Sequence, residues 1–390
     1  MNIIAVLLFA ALLVLLQRVI YKKYWNRALS LKLTFSANQA HEGDSLVLTE
    51  ELTNAKPLPL PWVTAKFSIS RNLIFTHKQN SAVTDDYYQQ DLFCVNMYQR
   101  VTRRLSFVCG RRGFYQIKSM DLSASDILST QKLVSRLQSN AELTVLPRLI
   151  PIEEIEIAVR QIFGDVEVRR FTNPDPFQFC GIREYLPRDD FRYINFKASA
   201  RTGGLMVNRY GETASQELII LLNLQTYSDW THNEIYEESI RIAASVAGMF
   251  GDLGLAVGIH SGGKDTVTDS TLNILPGCGE RHFHGILEQL ARITLAKKPS
   301  PIAPVLDNLR ATEPVYLMIS PCHDDYTVES FRNVLERGLS VHWILPALKD
   351  TLLRLPDDIE VTRWDVDLLD YKQSSTISVD LPPSDLEVPS

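Results

Sequence analysis

Apolar and polar positions fall into three regimes along the chain. Ile3 to Leu16 is an unbroken apolar run of fourteen residues, resumed after Gln17 and Arg18 by Val19, Ile20 and Tyr21. A helix needs ~20 apolar residues to cross a hydrocarbon core, so Ile3–Tyr21 is expected to span a bilayer with Arg18 snorkelling toward the headgroups. From about Leu31 the pattern changes to alternation. Leu31, Leu33 and Phe35 interleave with Lys32 and Thr34, and Val63, Ala65, Phe67 and Ile69 with Thr64, Lys66 and Ser68. Period two marks half-buried strands. Glu42-Gly43-Asp44 reads as a turn. The run KPLPLPW (Lys56–Trp62) reads as an edge or connector, because its prolines donate no ladder hydrogen bond. CGRRGFYQI (Cys109–Ile117) reads as a turn entering another strand. Short strands without a long amphipathic helix predict an antiparallel β-sandwich over residues 31–148.

The third regime alternates strands and helices. Leu218–Leu222 is a short continuous apolar run, as in a strand buried on both faces. A helix is expected from about Asn233 to Phe250, with Tyr236, Ile240, Ala243, Ala244 and Ala247 on one stripe and Gly251 and Gly254 ending it. Leu255–Ile259 is the next strand, Phe283–Leu295 a helix, Val315–Ile319 a strand, Val328–Leu335 a helix and Val341–Leu345 a strand. This order predicts a doubly wound, mostly parallel α/β domain over residues 217–370. Residues 149–216 read as a linker carrying a dense charged segment, and the Ser/Pro/Asp-rich residues 371–390 as a mobile tail. The expected order is thus a membrane anchor (residues 1–30), a sandwich and an α/β domain.

Composition narrows the function. Hydrophobic residues make up 45% of 390 and charged residues 22%, enough for ordinary globular cores. Lys and Arg total 40 against 46 Asp and Glu, a net charge of −6, which disfavours nucleic acid as a main partner. Five dispersed cysteines (Cys94, Cys109, Cys180, Cys278, Cys322) without a CxxC pair exclude a zinc ribbon and a dense disulfide framework, and they fit a reducing compartment. Arg18, Lys22, Lys23 and Arg27 follow the apolar run and no basic residue precedes it. That disfavours a cleaved signal peptide, and the positive-inside rule puts the bulk of a single-pass chain in the cytoplasm. Arg103, Arg104, Arg111 and Arg112 are dense in the β region, as a solvated strand face or as a patch for a partner or headgroups.

Catalytic motifs fail on their context. GIHSGGK (Gly258–Lys264) superficially matches a phosphate loop, but Asp265 stands where Ser or Thr would hold magnesium, and no helix opens after it. There is no GxGxxG after a strand and no GxSxG elbow. Cys322 and His323 are adjacent and would point apart on regular structure. His282 and His284 lack a third ligand at metal spacing. No cofactor is expected. The segment Arg183–Arg201 is unlike filler: Arg183, Glu184, Asp189, Asp190, Arg192, Lys197 and Arg201 interleave with Tyr185, Phe191, Tyr193 and Phe196. Such density suggests a hydrogen-bonded network, either structural or binding.

The run FCGIREYLPRDDFRYINFKASARTGGLMVNRY (Phe179–Tyr210) resembles the signature of the bacterial domain-of-unknown-function 58 family. Gly181, Arg183, Glu184, Tyr185, Asp189, Asp190, Arg192, Ile194, Ser199, Ala200, Arg201, Leu205 and Val207 match it in register. Arg188, Asn195 and Phe196 depart from it, standing for glycine, aspartate and tryptophan. Upstream, EGDSL, NAKPLPLPW, GRRGFYQI and SASDIL also resemble the family, so the likeness covers about Leu31 to Leu345. The resemblance implies a membrane-tethered protein of the bacterial plasma membrane with a von Willebrand factor type A-like C-terminal part. Where such folds carry the cation-binding DxSxS, this chain has Asn223, Gln225 and Tyr227, so metal-dependent adhesion is not expected. The family's association with MoxR-type AAA+ ATPases implies a non-enzymatic scaffold or adaptor in the assembly of other proteins. Two alternatives stand beside it: a ligand- or divalent-cation-binding receptor using the α/β domain, and an enzyme with Glu184, Asp189 and Asp190 as its acid/base cluster.

Overall fold

The structure, a computed structural model, describes residues 3–75, 86–172, 174–186, 191–212, 217–225, 233–295, 298–309, 314–349, 351, 355–356 and 358–368. The chain divides into two compact units, one within residues 1–148 and one within residues 149–368.

The first unit opens with helix α1 (Ile3–Tyr24), followed by β1 (Leu29–Phe35), β2 (Gln39–His41), β3 (Ser45–Asn54), β4 (Leu60–Ser70), β5 (Leu73–Phe75), β6 (Asp86–Val95), β7 (Arg100–Cys109), β8 (Gly113–Ser125) and β9 (Lys132–Leu146). They form two sheets, ordered β1-β3-β7-β5 and β2-β9-β8-β4-β6. Every pairing is antiparallel except β2 with β9. The alternation in β4 puts Val63, Ala65, Phe67 and Ile69 into one apolar core with Leu48 and Leu52 of β3, Phe107 of β7 and Leu122 of β8. Pro61 sits inside β4, where the register against β6 is broken between Leu60 and Val63, so the missing donor falls at an irregularity. The arginine-rich stretch is not one solvated face. Arg103 turns inward to an ion pair with Asp91, and Arg112 is buried.

The expected membrane-spanning segment, and with it the anchor–sandwich–α/β architecture, is corrected. Over the described residues the chain is mostly β-sheet with seven helices, and no helix is long and apolar enough to cross a membrane. The physical reason lies in α1. Its last turns are committed to the β domain: Gln17 donates to Asp126 (3.2 Å), buried Tyr21 donates to the Pro59 carbonyl (2.7 Å), and Trp25 just beyond is buried. What remains is the run Ile3–Leu16, about 21 Å at 1.5 Å per residue, against a hydrocarbon core of ~30 Å.

The second unit holds α2 (Ile152–Thr172), β10 (Pro174–Glu184), α3 (Phe196–Thr202), β11 (Met206–Glu212), β12 (Glu217–Leu222), α4 (Asn233–Asp252), β13 (Ala256–Asp265), β14 (Thr271–Gly277), α5 (Glu280–Arg292), β15 (Ile293–Thr294), α6 (Ala303–Asp307), β16 (Val315–Ile319), α7 (Asp325–Glu336), β17 (Val341–Leu348) and β18 (Thr362–Val366). Its main sheet runs β14-β13-β12-β16-β17-β18, with β15 beside β13. The β13, β12, β16, β17 and β18 pairings are parallel, while β14 and β15 lie antiparallel to β13. Tyr316, Met318, Trp343 and Leu345 pack in one cluster with Leu306 of α6 and with Phe331 and Val334 of α7. The strand residues between them, Val315, Leu317, Ile319 and Ile344, are buried as well, so the sheet is covered on both faces. Residues 152–172, part of the expected linker, form α2 and bury Ile155, Val159 and Ile162 at helical spacing.

The phosphate-loop look-alike Gly258–Lys264 lies wholly inside β13. Gly262 is required there by close approach: a Cβ would come within 2.0 Å of the Ser300 carbonyl oxygen, and Ser300 N–H donates to Gly262 O at 2.9 Å.

Candidate functional site: the signature hairpin and helix

The charged signature folds as a small antiparallel hairpin with a helix fixed to its far side. β10 pairs with β11 through Arg183 opposite Val207 and Glu184 opposite Met206, and Tyr185 N–H extends the ladder to Leu205 O at 2.9 Å. The β10 register shifts at Gly181, whose φ of 146° is backbone that a side chain rarely adopts. On the other edge of β11, Ile194 bridges Val207 and Asn195 N–H donates to Met206 O at 2.8 Å.

Asn195 and Ser199 join the helix to the strand. Asn195 Oδ1 accepts from Ala198 N–H (2.9 Å), capping α3, and its amide nitrogen donates to Asn208 Oδ1 (2.7 Å). The Ser199 hydroxyl donates to Asn195 O (2.9 Å) and accepts from Met206 N–H (2.8 Å), while Gly203 N–H closes the helix on Ser199 O (3.0 Å). Asparagine in place of the aspartate of the resembled signature keeps the capping oxygen, which either side chain offers, whereas the donation to Asn208 Oδ1 needs the amide. Asn195→Asp is expected to leave the exchange protection of the Ala198 and Met206 amides intact. Asn195→Ala should cost about 1 kcal/mol and raise exchange at both.

The remaining signature residues are placed as follows. Ser199 is half-buried in the joint just described. Tyr185 is half-buried with its ring 5.6 Å from that of Phe191. Arg183 is exposed and donates to Glu184 O at 3.0 Å, and the Arg192 guanidinium lies 4.7 Å over the Tyr193 ring. Glu184, Lys197 and Arg201 are exposed. Asp189 and Asp190, with Arg188, lie outside the described residues. The described charges thus stand in solvent, where an ion pair contributes ~0–1 kcal/mol. The less expected feature is apolar: Phe191 is 70% and Phe196 74% exposed, with Leu186 and Leu205 exposed beside them in the chain.

The positions that the resemblance compares with a cation site lie elsewhere in the unit, at the C-terminal ends of the parallel strands. Strand order reverses between β12 and β16, the place where ligands commonly bind such sheets. There Asn223 is buried; its amide nitrogen donates to Ser320 Oγ (3.0 Å) and its oxygen accepts from Gln225 N–H (3.0 Å). Ser320 Oγ donates to Cys322 O (2.8 Å), Trp343 Nε1 to Ser320 O (3.0 Å), and Ser261 Oγ to Leu222 O (2.7 Å). Tyr227 lies outside the described residues. Burial pushes the Cys322 thiol up, away from the thiolate a nucleophile needs. Asp324, beside the Cys322-His323 pair, caps α7 by accepting from Thr327 N–H at 2.9 Å. Among the described residues no three His, Cys, Asp or Glu side chains are grouped to hold a metal ion. Sequence reading passed over Ser320, Ser261 and Trp343. A signal existed for Ser320, the first polar residue after a fully apolar strand, as Asn223 is after β12.

A chain with a two-sheet β unit and a mixed α/β unit, the latter bearing a hairpin and capped helix, is the class of protein these observations define. Residues 181–346 match the family described as "Protein of unknown function DUF58". A relative in Bacillus subtilis (strain 168), "Uncharacterized protein YeaD", is 22% identical over 262 residues, covering 65% of this chain and 59% of that protein. The chain thus spans about three fifths of the length of this curated relative. Among solved structures, the CARDB domain of the PF1109 protein from Pyrococcus furiosus is similar at a TM-score of 0.20 and 9% identity, over 31% of this chain and 96% of that one. The sporulation control protein Spo0M from Bacillus subtilis is similar at a TM-score of 0.20 and 10% identity, over 35% and 56%. Scores this low carry no argument about fold or function.

Proposed function

We propose that the chain is a non-enzymatic adaptor that captures a protein partner on the signature hairpin and helix. The observation that carries the reading is the pair of solvent-facing rings, Phe191 and Phe196, amid exposed Arg183, Arg192, Lys197 and Arg201. Exposed aromatics beside arginine are the composition of binding hot spots. The half-buried joint at Asn195 and Ser199 holds them on a fixed backbone, which lowers the ordering cost of binding. The resemblance names the partner class to test, a MoxR-type AAA+ ATPase, and the role of scaffold in ATPase-driven assembly.

The experiment is capture of a purified MoxR-type ATPase by the immobilised full-length chain, with and without ATP. Phe196→Asp is expected to cut capture roughly tenfold or more, the scale of losing one buried aromatic anchor, with the melting temperature unchanged because the ring makes no core contact. Leu275→Asp, at an equally exposed residue on β14, should change neither. Capture that is equal for wild type and Phe196→Asp overturns the reading.

A further inference from the structure

Strand β9 is the longest of the β domain, at 15 residues, and only part of it has two neighbours. β8 pairs with it from Lys132 to Val145, whereas β2 covers its other edge only from Thr144 to Leu146. From Lys132 to Gln138, before the register against β8 shifts, that second edge has no partner strand among the described residues. The inward row changes along the same strand. Leu133, Ser135, Leu137 and Ser139 are half-buried, while Ala141, Leu143 and Val145 are buried. Leu133 and Leu137 thus pack against the β-domain core without being closed over. An open strand edge above a half-covered apolar row is a template for another strand. The outward row is basic. Lys132, Val134, Arg136 and Gln138 are exposed; Arg136 meets Asp121 of β8 at 3.5 Å, and Lys132 lies opposite Ser125.

We infer that this edge takes residues 376–381 of the same chain as an added strand. Those residues lie outside the described ones, and their sequence is TISVDL. Ile377, Val379 and Leu381 alternate with Ser378 and Asp380, the period of a strand with one apolar face. With that face turned inward, the three apolar side chains close over Leu133 and Leu137. Asp380 then falls on the outward row with Lys132 and Arg136, in whichever direction the strand runs. Pro382 and Pro383 follow and donate no ladder hydrogen bond, so the pairing ends there. Charge selects this occupant over a second β9. The open edge carries Lys132 and Arg136 and no acid, whereas residues 373–390 carry Asp380, Asp385 and Glu387 and no Lys or Arg. Lysine and arginine on an edge repel a like strand and attract an acidic one. The inference does not rest on the proposed ATPase partner, which concerns the other unit.

The test is hydrogen exchange on the full-length chain, read at the amides of Lys132–Gln138 that point away from β8. The Ile377→Ser/Val379→Ser double variant, which removes two of the three apolar side chains, is expected to speed their exchange roughly tenfold or more over wild type. Asp380→Lys should speed it too, and more at low salt than at high. Leu386→Ser/Val388→Ser, beyond the two prolines, should exchange as wild type. All the substitutions lie outside the β-domain core, so the amides of Leu122 and Leu143 should stay equally protected in every variant. Equal exchange along Lys132–Gln138 in wild type and in Ile377→Ser/Val379→Ser, whether fast in both or slow in both, overturns the inference. An Asp380→Lys chain as protected as wild type also overturns it. Protection in wild type that is lost on tenfold dilution overturns it as well, and assigns the edge to a second copy.

Discussion

Replacing Glu50 by glutamine is expected to stabilise the β domain, by an amount that grows with pH. Glu50 lies on the inward row of β3 between Leu48 and Leu52, fully buried, and neither of its carboxyl oxygens has a hydrogen-bond partner. Burial, followed by the charge of Asp91, pushes its acid up to about 9 from an ordinary 4.5, with Arg103 opposing. With both carboxyl oxygens orphaned, burial is the dominant cause. In the unfolded chain Glu50 ionises near 4.5; in the folded domain it stays protonated to about 9. The folded state therefore binds the extra proton between those values. Stability is fully present below the unfolded value and falls at roughly 1.4 kcal/mol per pH unit until the folded value is reached. Glutamine does not titrate, so Glu50→Gln should match wild type near pH 4 and exceed it by a few kcal/mol, to order of magnitude, at pH 8. Urea unfolding at several pH values, with hydrogen exchange on β3 and β7 as the local readout, measures this. A difference that does not change with pH would refute the buried-acid account.

That acid shows where sequence reading stops. Alternation alone assigns β3 an inward row at positions 48, 50, 52 and 54, but that row reads Leu, Glu, Leu, Asn. A period can say that Glu50 faces the core; it cannot say that Asp91 and Arg103 arrive there from β6 and β7. Elements set by local pattern were legible. β16 has the bounds of the apolar run Val315–Ile319, because a strand covered on both faces admits no polar residue. α4 follows the stripe through Tyr236, Ile240 and Ala243. α2 was missed although Pro151 and the first-turn Glu153 and Glu154 mark a helix start, since its β-branched residues blur the helical period. The spanning segment was over-read for a tertiary reason: counting apolar residues assigns Tyr21 to lipid, whereas the fold assigns it to Pro59.

The signature segment was legible as a unit and not as a geometry. Its charges drew attention, yet the side chains that build the joint are the uncharged Asn195 and Ser199, and the side chains presented to solvent include Phe191 and Phe196. Asn195 carried a readable signal, a capping residue directly before a short helical stretch. Ser199 did not, because its partner Met206 belongs to a strand that the local pattern does not place beside it. At the strand ends, the resemblance led to the expectation that Asn223 and Gln225 replace cation ligands. What they do instead, tying β12 to β16 through Ser320, required the sheet order.

Arg103→Met is expected to be the most damaging single substitution in the β domain outside its apolar core. Arg103 on β7 reaches across to the other sheet, pairing with Asp91 of β6 and donating to Leu92 O at 3.1 Å, with its guanidinium 4.9 Å over the Phe93 ring. Gln89 donates to the other Asp91 oxygen at 2.9 Å. Asp91 keeps only 4% of its side chain in solvent, so removing Arg103 strands a carboxylate in the core, a loss of ~3–5 kcal/mol for a fully buried pair. Arg103 itself is 33% exposed, and water screening places the expected cost at the lower end of that range. Glu50, already neutral, cannot substitute for the lost cation. Asp91→Asn added to Arg103→Met removes the stranded charge and should recover most of the loss, so the double variant is expected to be more stable than Arg103→Met alone. Urea unfolding of the two single variants and the double closes the cycle. A double variant no better than Arg103→Met would show that the arginine holds the two sheets through packing on Phe93 rather than through the charge of Asp91.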